Sequence, residues 1–199
     1  MNVNTRILAA VAGCLLMLSP AAVAADERAA TDGNRDRIVR TGMTVLGGWA
    51  TANIGAGLAG MALSEDSTQR GFWEMNAMWN TVNLGLAGWS LYDQWRSSSA
   101  GAASEAEVTD IETYREESHS FEKVLLFNAG LNFAYMAVGG WMWDRGSRGE
   151  GLDAGGISAD RLTGWGQSLV AQGAFLLGFD LTMWRAIARD RAVTVNGAD

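Results

Sequence analysis

The sequence predicts an all-α fold, a four-helix transmembrane bundle made of two antiparallel hairpins. Three observations carry that reading. Four long stretches lack interior charge, only short polar breaks separate the first from the second and the third from the fourth, and the composition combines 48% hydrophobic residues with 25 Gly, 9 Trp and a single Pro. Span one covers about residues 41–64, where no ionisable residue occurs between Thr41 and Ser64. At 1.5 Å per residue this makes roughly 36 Å of helix, enough to cross a bilayer. Span two runs over about 72–95 and is uncharged between Glu74 and Asp93; span three covers about 121–143 and is uncharged from Val124 to Trp143. Span four covers about 162–184 and is uncharged from Leu162 to Phe179, where it meets Asp180.

The segments around the spans set the domain organisation. Residues 1–24 read as a cleaved signal peptide, with Arg6 as a basic start, an apolar run from Ile7 to Leu18 and Ala22-Val23-Ala24 as the cleavage site after Ser19-Pro20. A competing lipobox-like reading, Val11-Ala12-Gly13-Cys14, would put a lipid on Cys14, but its apolar run is only about five residues long. Residues 25–40 form a polar, exposed lead-in. Glu65–Gly71 is a tight connection that makes spans one and two antiparallel neighbours. The longest connection, Arg96–Ser120, turns acidic, and Ser104 with Glu107 has capping-box spacing for a short surface helix. Asp144–Asp160 reads as a glycine-rich linker, and 188–199 as a disordered tail. Asn83 with Trp95 and Gln172 with Trp184 share a twelve-residue spacing between the hairpins, an echo that apolar helices produce by composition alone.

Charge and motifs exclude several classes. A net charge of −7, with Lys123 as the only lysine, supplies no electrostatic footprint for nucleic acid. One cysteine precludes an intramolecular disulfide and a Cys-based zinc site. His119 is the only histidine; Glu116 lies three residues before it, but a di-metal four-helix site needs two such motifs, so no metal is expected. No Ser/His/Asp or Cys/His set can be assembled without His119, which sits at the edge of an acidic loop, no phosphate loop follows a strand, and neither cofactor nor enzymatic activity is expected. Eight of the nine tryptophans, at 49, 79, 89, 95, 141, 143, 165 and 184, include several near span ends and read as interfacial anchors.

The polar residues within the spans are the candidate site. Asn76, Asn80 and Asn83 at i, i+4 and i+7 fall within roughly 60° of one another, a narrow stripe on span two. Asn53 on span one, Asn128, Asn132 and Tyr135 on span three, and Gln172 on span four face the same interior in this reading, with Asp180 on its shoulder. Carboxamides turned to lipid leave donors and acceptors unpaired, so they are expected to meet inside. Asp180 reads either as a proton or cation site or as an interfacial acid beside Arg185; Glu74 and Asp93 read as interfacial. On span one Gly48, Ala52, Ala56 and Gly60 recur every four residues, a small-residue ladder suited to self-association or to another membrane protein. Membrane lipid is the remaining partner.

FWEMNAMWNTVN (72–83), LLFNAGLNFAYMAVGG (125–140) and QGAFLLGFDLTMW (172–184) resemble a family of uncharacterised bacterial membrane proteins, a domain of unknown function, over about residues 38–187. The resemblance implies a signal peptide and four spans, and Asp in many members where this chain has Asn132. It implies no activity. Two functions stay open. One is a non-enzymatic inner-membrane protein, an envelope partner or assembly component with a structural Asn/Gln core. The other is a small-solute or ion permease, or a subunit of one, using that core with Asp180; an intramembrane enzyme is a distant third. Orientation also stays open. A cleaved signal places the mature N-terminus outside, whereas Arg70, Arg145, Arg148 and Arg161 are all that the opposite side would carry, contrary to the positive-inside rule.

Overall fold

A computed structural model describes residues 31–101, 111–152 and 155–196. The signal peptide, Cys14 and the Ser104–Glu107 capping box lie outside these residues. The protein is all-α, with four helices: α1 (Thr31–Leu63), α2 (Ser67–Gly101), α3 (Ile111–Ser147) and α4 (Ala159–Asn196). They alternate in direction, and each is longer than its predicted span.

The helix limits follow from local chemistry. α1 ends at Leu63, where the Arg70 guanidinium donates to the Ser64 carbonyl at 3.0 Å. Asp66 then caps α2 by accepting the Gln69 backbone N–H at 2.8 Å, which starts that helix five residues before the expected span. α3 closes at Gly149, whose φ of 79° is the left-handed conformation open to glycine. There the Gly149 and Glu150 amides return to the carbonyls of Gly146 and Arg145 at 2.9 and 3.3 Å. Between α3 and α4 the backbones of Leu152 and Ile157 pair with each other, so part of the expected linker is a tight turn. Ser158 caps α4 through its Oγ, which accepts the Arg161 N–H at 3.3 Å.

Both ends are helical, and one expectation, the disordered tail, is corrected. The lead-in is helical from Thr31, and its Asn34 side chain donates to Asp190 of α4. The tail expected to be disordered from residue 188 is helical to Asn196, held by Arg191, whose Nε and second nitrogen donate to the two carboxylate oxygens of Glu122 on α3 at 2.7 and 3.4 Å. Fork-to-fork pairing of this kind fixes both charges and geometry.

α4 is the hub. It packs on α3, on α2 and more lightly on α1, while α1 otherwise packs on α2 and the α2–α3 contact is slight. Leu46, Ala87, Leu125, Phe175, Leu176, Phe179 and Met183 form the apolar core, with the Trp49 ring stacked on Phe175 at 3.9 Å. Close approach to α4 depends on glycine at the contact points. A Cβ on Gly164 would strike the Thr68 carbonyl and Phe72 amide of α2, and one on Gly166 would strike the backbone of Trp143 and Gly139 in α3. The expected ladder on α1 is therefore not the principal close-packing surface: Gly48, Ala52 and Ala56 are exposed, and Gly60 sits under the Trp73 ring.

Polar and apolar residues are distributed against the habit of a water-soluble bundle. Leu58, Met78, Val82, Leu86, Phe127, Phe133 and Val138 are exposed, whereas Asn76, Asn80, Asn83, Asn132, Gln172 and Asp180 are buried. Among the described helices, α3 alone contains a segment long and apolar enough to cross a membrane by length and composition, Arg115–Ser147 at a mean hydropathy of 1.2.

Gly166→Leu forces a side chain into α3 backbone and is expected to destabilise the bundle by about 3 kcal/mol or more, since the obstructing atoms have no rotamer to move to. Gly85, with open space at its Cβ position, is the control: Gly85→Ala changes stability by less than about 1 kcal/mol and in the favourable direction. Thermal unfolding of the two purified variants measures both.

Candidate functional site

The polar residues of the four helices meet at α4 in layers. Nearest its N-terminus, Arg161 grips Glu74 of α2 with two nitrogens, one at 2.8 Å, and Trp165 Nε1 donates to the same carboxylate at 3.0 Å. The guanidinium also lies over the Trp165 ring, 4.9 Å from its centroid. Hydrogen bonding to Glu74 raises the pKa of Arg161 from its ordinary value, against the smaller opposing effect of burial.

About three turns below lies a closed circuit of carboxamides. Trp49 Nε1 of α1 donates to Gln172 Oε1 at 3.2 Å, and Gln172 Nε2 donates to Asn76 Oδ1. Asn76 Nδ2 donates to the side-chain and backbone oxygens of Asn53 at 3.0 and 3.2 Å. Asn53 Nδ2 completes the circuit at the Trp49 backbone carbonyl, 2.8 Å away. From Trp49 Nε1 through Gln172 and Asn76 to Asn53 each amide accepts on its oxygen and donates through its nitrogen, so each bond polarises the next along that run. Three helices are tied together by four side chains. Such bonds between helices contribute roughly 0.5–1.5 kcal/mol each, and they fix register because a slip of one residue leaves every member unpaired.

The other two members of the α2 stripe turn back on their own helix. Asn80 Nδ2 donates to the Asn76 carbonyl at 2.8 Å, and Asn83 Nδ2 to Asn80 Oδ1 at 3.3 Å. Both are buried. The stripe is thus one outward-reaching group, Asn76, backed by Asn80, which donates to the Asn76 backbone, and Asn83, which donates to Asn80.

A third layer joins α3 to α4. Asn132 Nδ2 donates to Asp180 Oδ2 at 2.7 Å, and Asp180 is only 6% exposed. Asp180 therefore pairs with Asn132 rather than standing at the interface beside Arg185. Tyr135, half-buried, presents its ring edge-on to Trp79 of α2, centroids 4.8 Å apart, and takes no recorded place in the circuit. Asn128 is exposed, and its inward placement is corrected: α3 turns Leu125, Ala129 and Asn132 inward, and Asn128 lies off the edge of that stripe. The expected seven-carboxamide core is in fact an interhelical circuit of Asn53, Asn76 and Gln172, an intrahelical pair of Asn80 and Asn83, and a separate Asn132–Asp180 contact.

Sequence reasoning missed the tryptophan donors and the end clamps. Trp49 and Trp165 read as anchors in the sequence, yet their indole N–H groups donate hydrogen bonds to another helix, Trp49 to buried Gln172 and Trp165 to half-buried Glu74; Trp49 four residues before Asn53 is the available signal. Glu74–Arg161 and Glu122–Arg191 join residues 87 and 69 positions apart, a separation at which no local spacing rule operates. His119 and Glu116 are exposed, and the described residues contain no group of three potential metal ligands. At the opposite end from Arg161, a surface cleft of about 260 Å³ is lined by Arg35, Asp36, Val39, Gln94, Glu117 and Phe121, and Arg35 bridges it to Glu117 at 2.7 Å.

A double-mutant cycle of Asn76→Ala and Gln172→Ala is expected to return a coupling of roughly 0.6–2 kcal/mol in unfolding free energy, whereas Asn128→Ala stays within about 0.5 kcal/mol of the parent. Reversible unfolding in mild detergent reads all four variants.

No curated protein and no solved structure matches the chain significantly. A family of unknown function, DUF6992, matches it over residues 45–181, which takes in the body of all four helices, every residue of the circuit and the Asn132–Asp180 pair. The chain belongs to that family.

Proposed function

We propose that this protein is an integral membrane protein of the bacterial inner membrane, inserted after removal of its signal peptide, with all four helices crossing the bilayer. Its interior carboxamides are structural, and it serves as an envelope partner or assembly component rather than as an enzyme. One observation carries the reading: the large side chains exposed between the two charged ends are mostly apolar, while the amides of that zone other than Asn128, together with Asp180, are buried or half-buried. The ends are marked by Glu74–Arg161 and Arg145–Glu150 on one side and by Arg35–Glu117 and Glu122–Arg191 on the other. On α3 the uncharged zone from Val124 to Trp143 amounts to roughly 30 Å at 1.5 Å per residue, the thickness of a hydrocarbon core. Exposed Trp141 and Trp143 on α3, and Trp89 and Trp95 on α2, border opposite ends of the zone as interfacial belts do.

Mean hydropathy understates α1, α2 and α4. Each dilutes its average with Gly, Asn, Gln or Asp, but most of those polar groups are buried, and what a helix shows to lipid is its outer face. Partner contact falls to α1, whose Gly48, Ala52 and Ala56 form an open, exposed stripe where another backbone can approach closely. Lipid covers the rest.

A permease, or a permease subunit, is the second reading, with the Asn/Gln groups and Asp180 as its site. It is favoured by Asp180 alone, because a carboxyl group exceeds what interhelical register requires.

The test is extraction. The full chain, expressed in a bacterium, should stay in the membrane pellet through an alkaline carbonate wash and enter solution only with detergent. Release by carbonate, or recovery from the soluble fraction without detergent, contradicts the proposal.

A further inference from the structure

The Asn132–Asp180 contact lies within the bundle, away from the ion pairs at its ends. Each acid of a described ion pair meets an arginine near one end of the bundle: Glu74 with Arg161, Glu122 with Arg191, Glu117 with Arg35. Asp180 is buried, takes a hydrogen bond from one neutral amide, and forms no ion pair among the described residues. No cation is close along any packed element. α3 carries no charge between Lys123 and Asp144, and its one phenol in that interval is Tyr135; α2 carries none between Glu74 and Asp93, with Tyr92 beside the latter; α1 carries none between Arg40 and Glu65. On α4 itself the flanking charges are Arg161 and Arg185, the latter exposed and five residues further on, about 7.5 Å of helix rise.

An ionised carboxylate removed from water and given one neutral donor is left uncompensated by several kcal/mol. Something must neutralise it. The orientation of Asn132 indicates what: it turns its NH₂ group, a donor, towards Asp180, whereas a metal cation requires oxygen ligands from its surroundings. We propose that Asp180 is a proton-binding site within the bundle, with Asn132 as its positioning residue; the proposal rests on the reading of α4 as a membrane span.

The step is simple and balanced. A proton from water forms an O–H bond at Asp180 Oδ1, no other bond breaks, and the carboxyl charge goes from −1 to 0. The new hydroxyl donates to Asn132 Oδ1 while Asn132 Nδ2 continues to donate to Oδ2. Acid and amide then hold each other by two antiparallel hydrogen bonds, with no net charge in the apolar zone. Loss of the proton returns it to water and leaves the carboxylate with one donor, so that hydration of the α3–α4 contact becomes favourable. Proton occupancy is thereby coupled to the packing of α3 on α4. Asn132→Leu removes both the donor and the acceptor and isolates the site.

Infrared difference spectroscopy of the full chain in lipid nanodiscs, stepped through pH, tests this directly, with carbonate resistance of the same protein checked separately. The expected result is a protonated-carboxyl C=O band that moves on ¹³C-aspartate labelling, disappears in Asp180→Asn and persists, displaced, in Asp180→Glu. In Asn132→Leu the band moves and its pH midpoint changes by the equivalent of a tenfold or greater change in proton affinity. The glutamate variant and the isotope label keep the test decisive if Asp180→Asn fails to fold. Absence of any Asp180-dependent band in inserted protein overturns the proposal and leaves the membrane reading intact. Loss of the band on adding Na⁺ or K⁺ at fixed pH also overturns it, by assigning the site to a metal cation. Protein that proves not to be membrane-inserted overturns both readings together.

Discussion

The structure depends on one constraint: α4 is packed on by the other three helices, so the longer polar side chains on its inner faces lie within reach of partners on another helix. Gln172, Asp180, Asp190 and Arg191 each do so, with Asn76 and Trp49, Asn132, Asn34 and Glu122 respectively. The partners lie on all three surrounding helices, and the four contacts are spread between residues 172 and 191 of α4. That distribution fixes the rotation of each outer helix about its axis as well as its height. An apolar seam alone would leave both loosely set, because leucine against leucine tolerates repacking and an amide against an amide does not.

Glycine makes those bonds reachable. A carboxamide side chain is short, and Asn76 meets both Asn53 and Gln172 only because the backbones run close where Gly57 lies on Ala77 and Gly164 lies on Phe72. Small residues at the crossings and amides at the core are therefore two parts of one arrangement, the first setting the spacing that the second needs. Charge is excluded from this middle zone except at Asp180, and the arginine clamps at either end close it off. The contrast between clamped acids at the ends and a single unclamped acid within the bundle is what separates Asp180 from structural polarity.

Much of this was legible in the sequence, and the failures have physical causes. Four helices, their alternating direction and the inward turn of Asn76 and Gln172 followed from charge-free length, short connections and helical periodicity. Asn128 did not, because helical spacing defines a face only to within the width assumed for it. α3 lies so close to α4 at Gly139 and Gly166 that its buried stripe is narrow, and Asn128, about 40° round from Asn132 on the side away from Ala129, falls outside. The central place of α4 was also hidden. Its glycines at 164, 166 and 173 follow no four-residue repeat, since two faces of the helix are in use, whereas α1 has a regular ladder that the bundle leaves exposed. The ends were misread for another reason: residues 31–40 and 188–196 are polar, and polarity alone does not separate an unstructured tail from a helix whose charges are answered across the bundle.

Spin-label accessibility along α3 tests most directly the claim that polar groups face α4 while apolar ones face lipid. Cys14 is the only cysteine, so a Cys14→Ala background permits single cysteines at successive positions from 124 to 143. In nanodiscs the account predicts that molecular oxygen reaches labels at 127, 133 and 138 readily and labels at 125, 129 and 132 poorly, with a water-soluble nickel reagent reaching only the two ends. Nickel access throughout the outer positions would mean that this surface faces water, and would contradict the account.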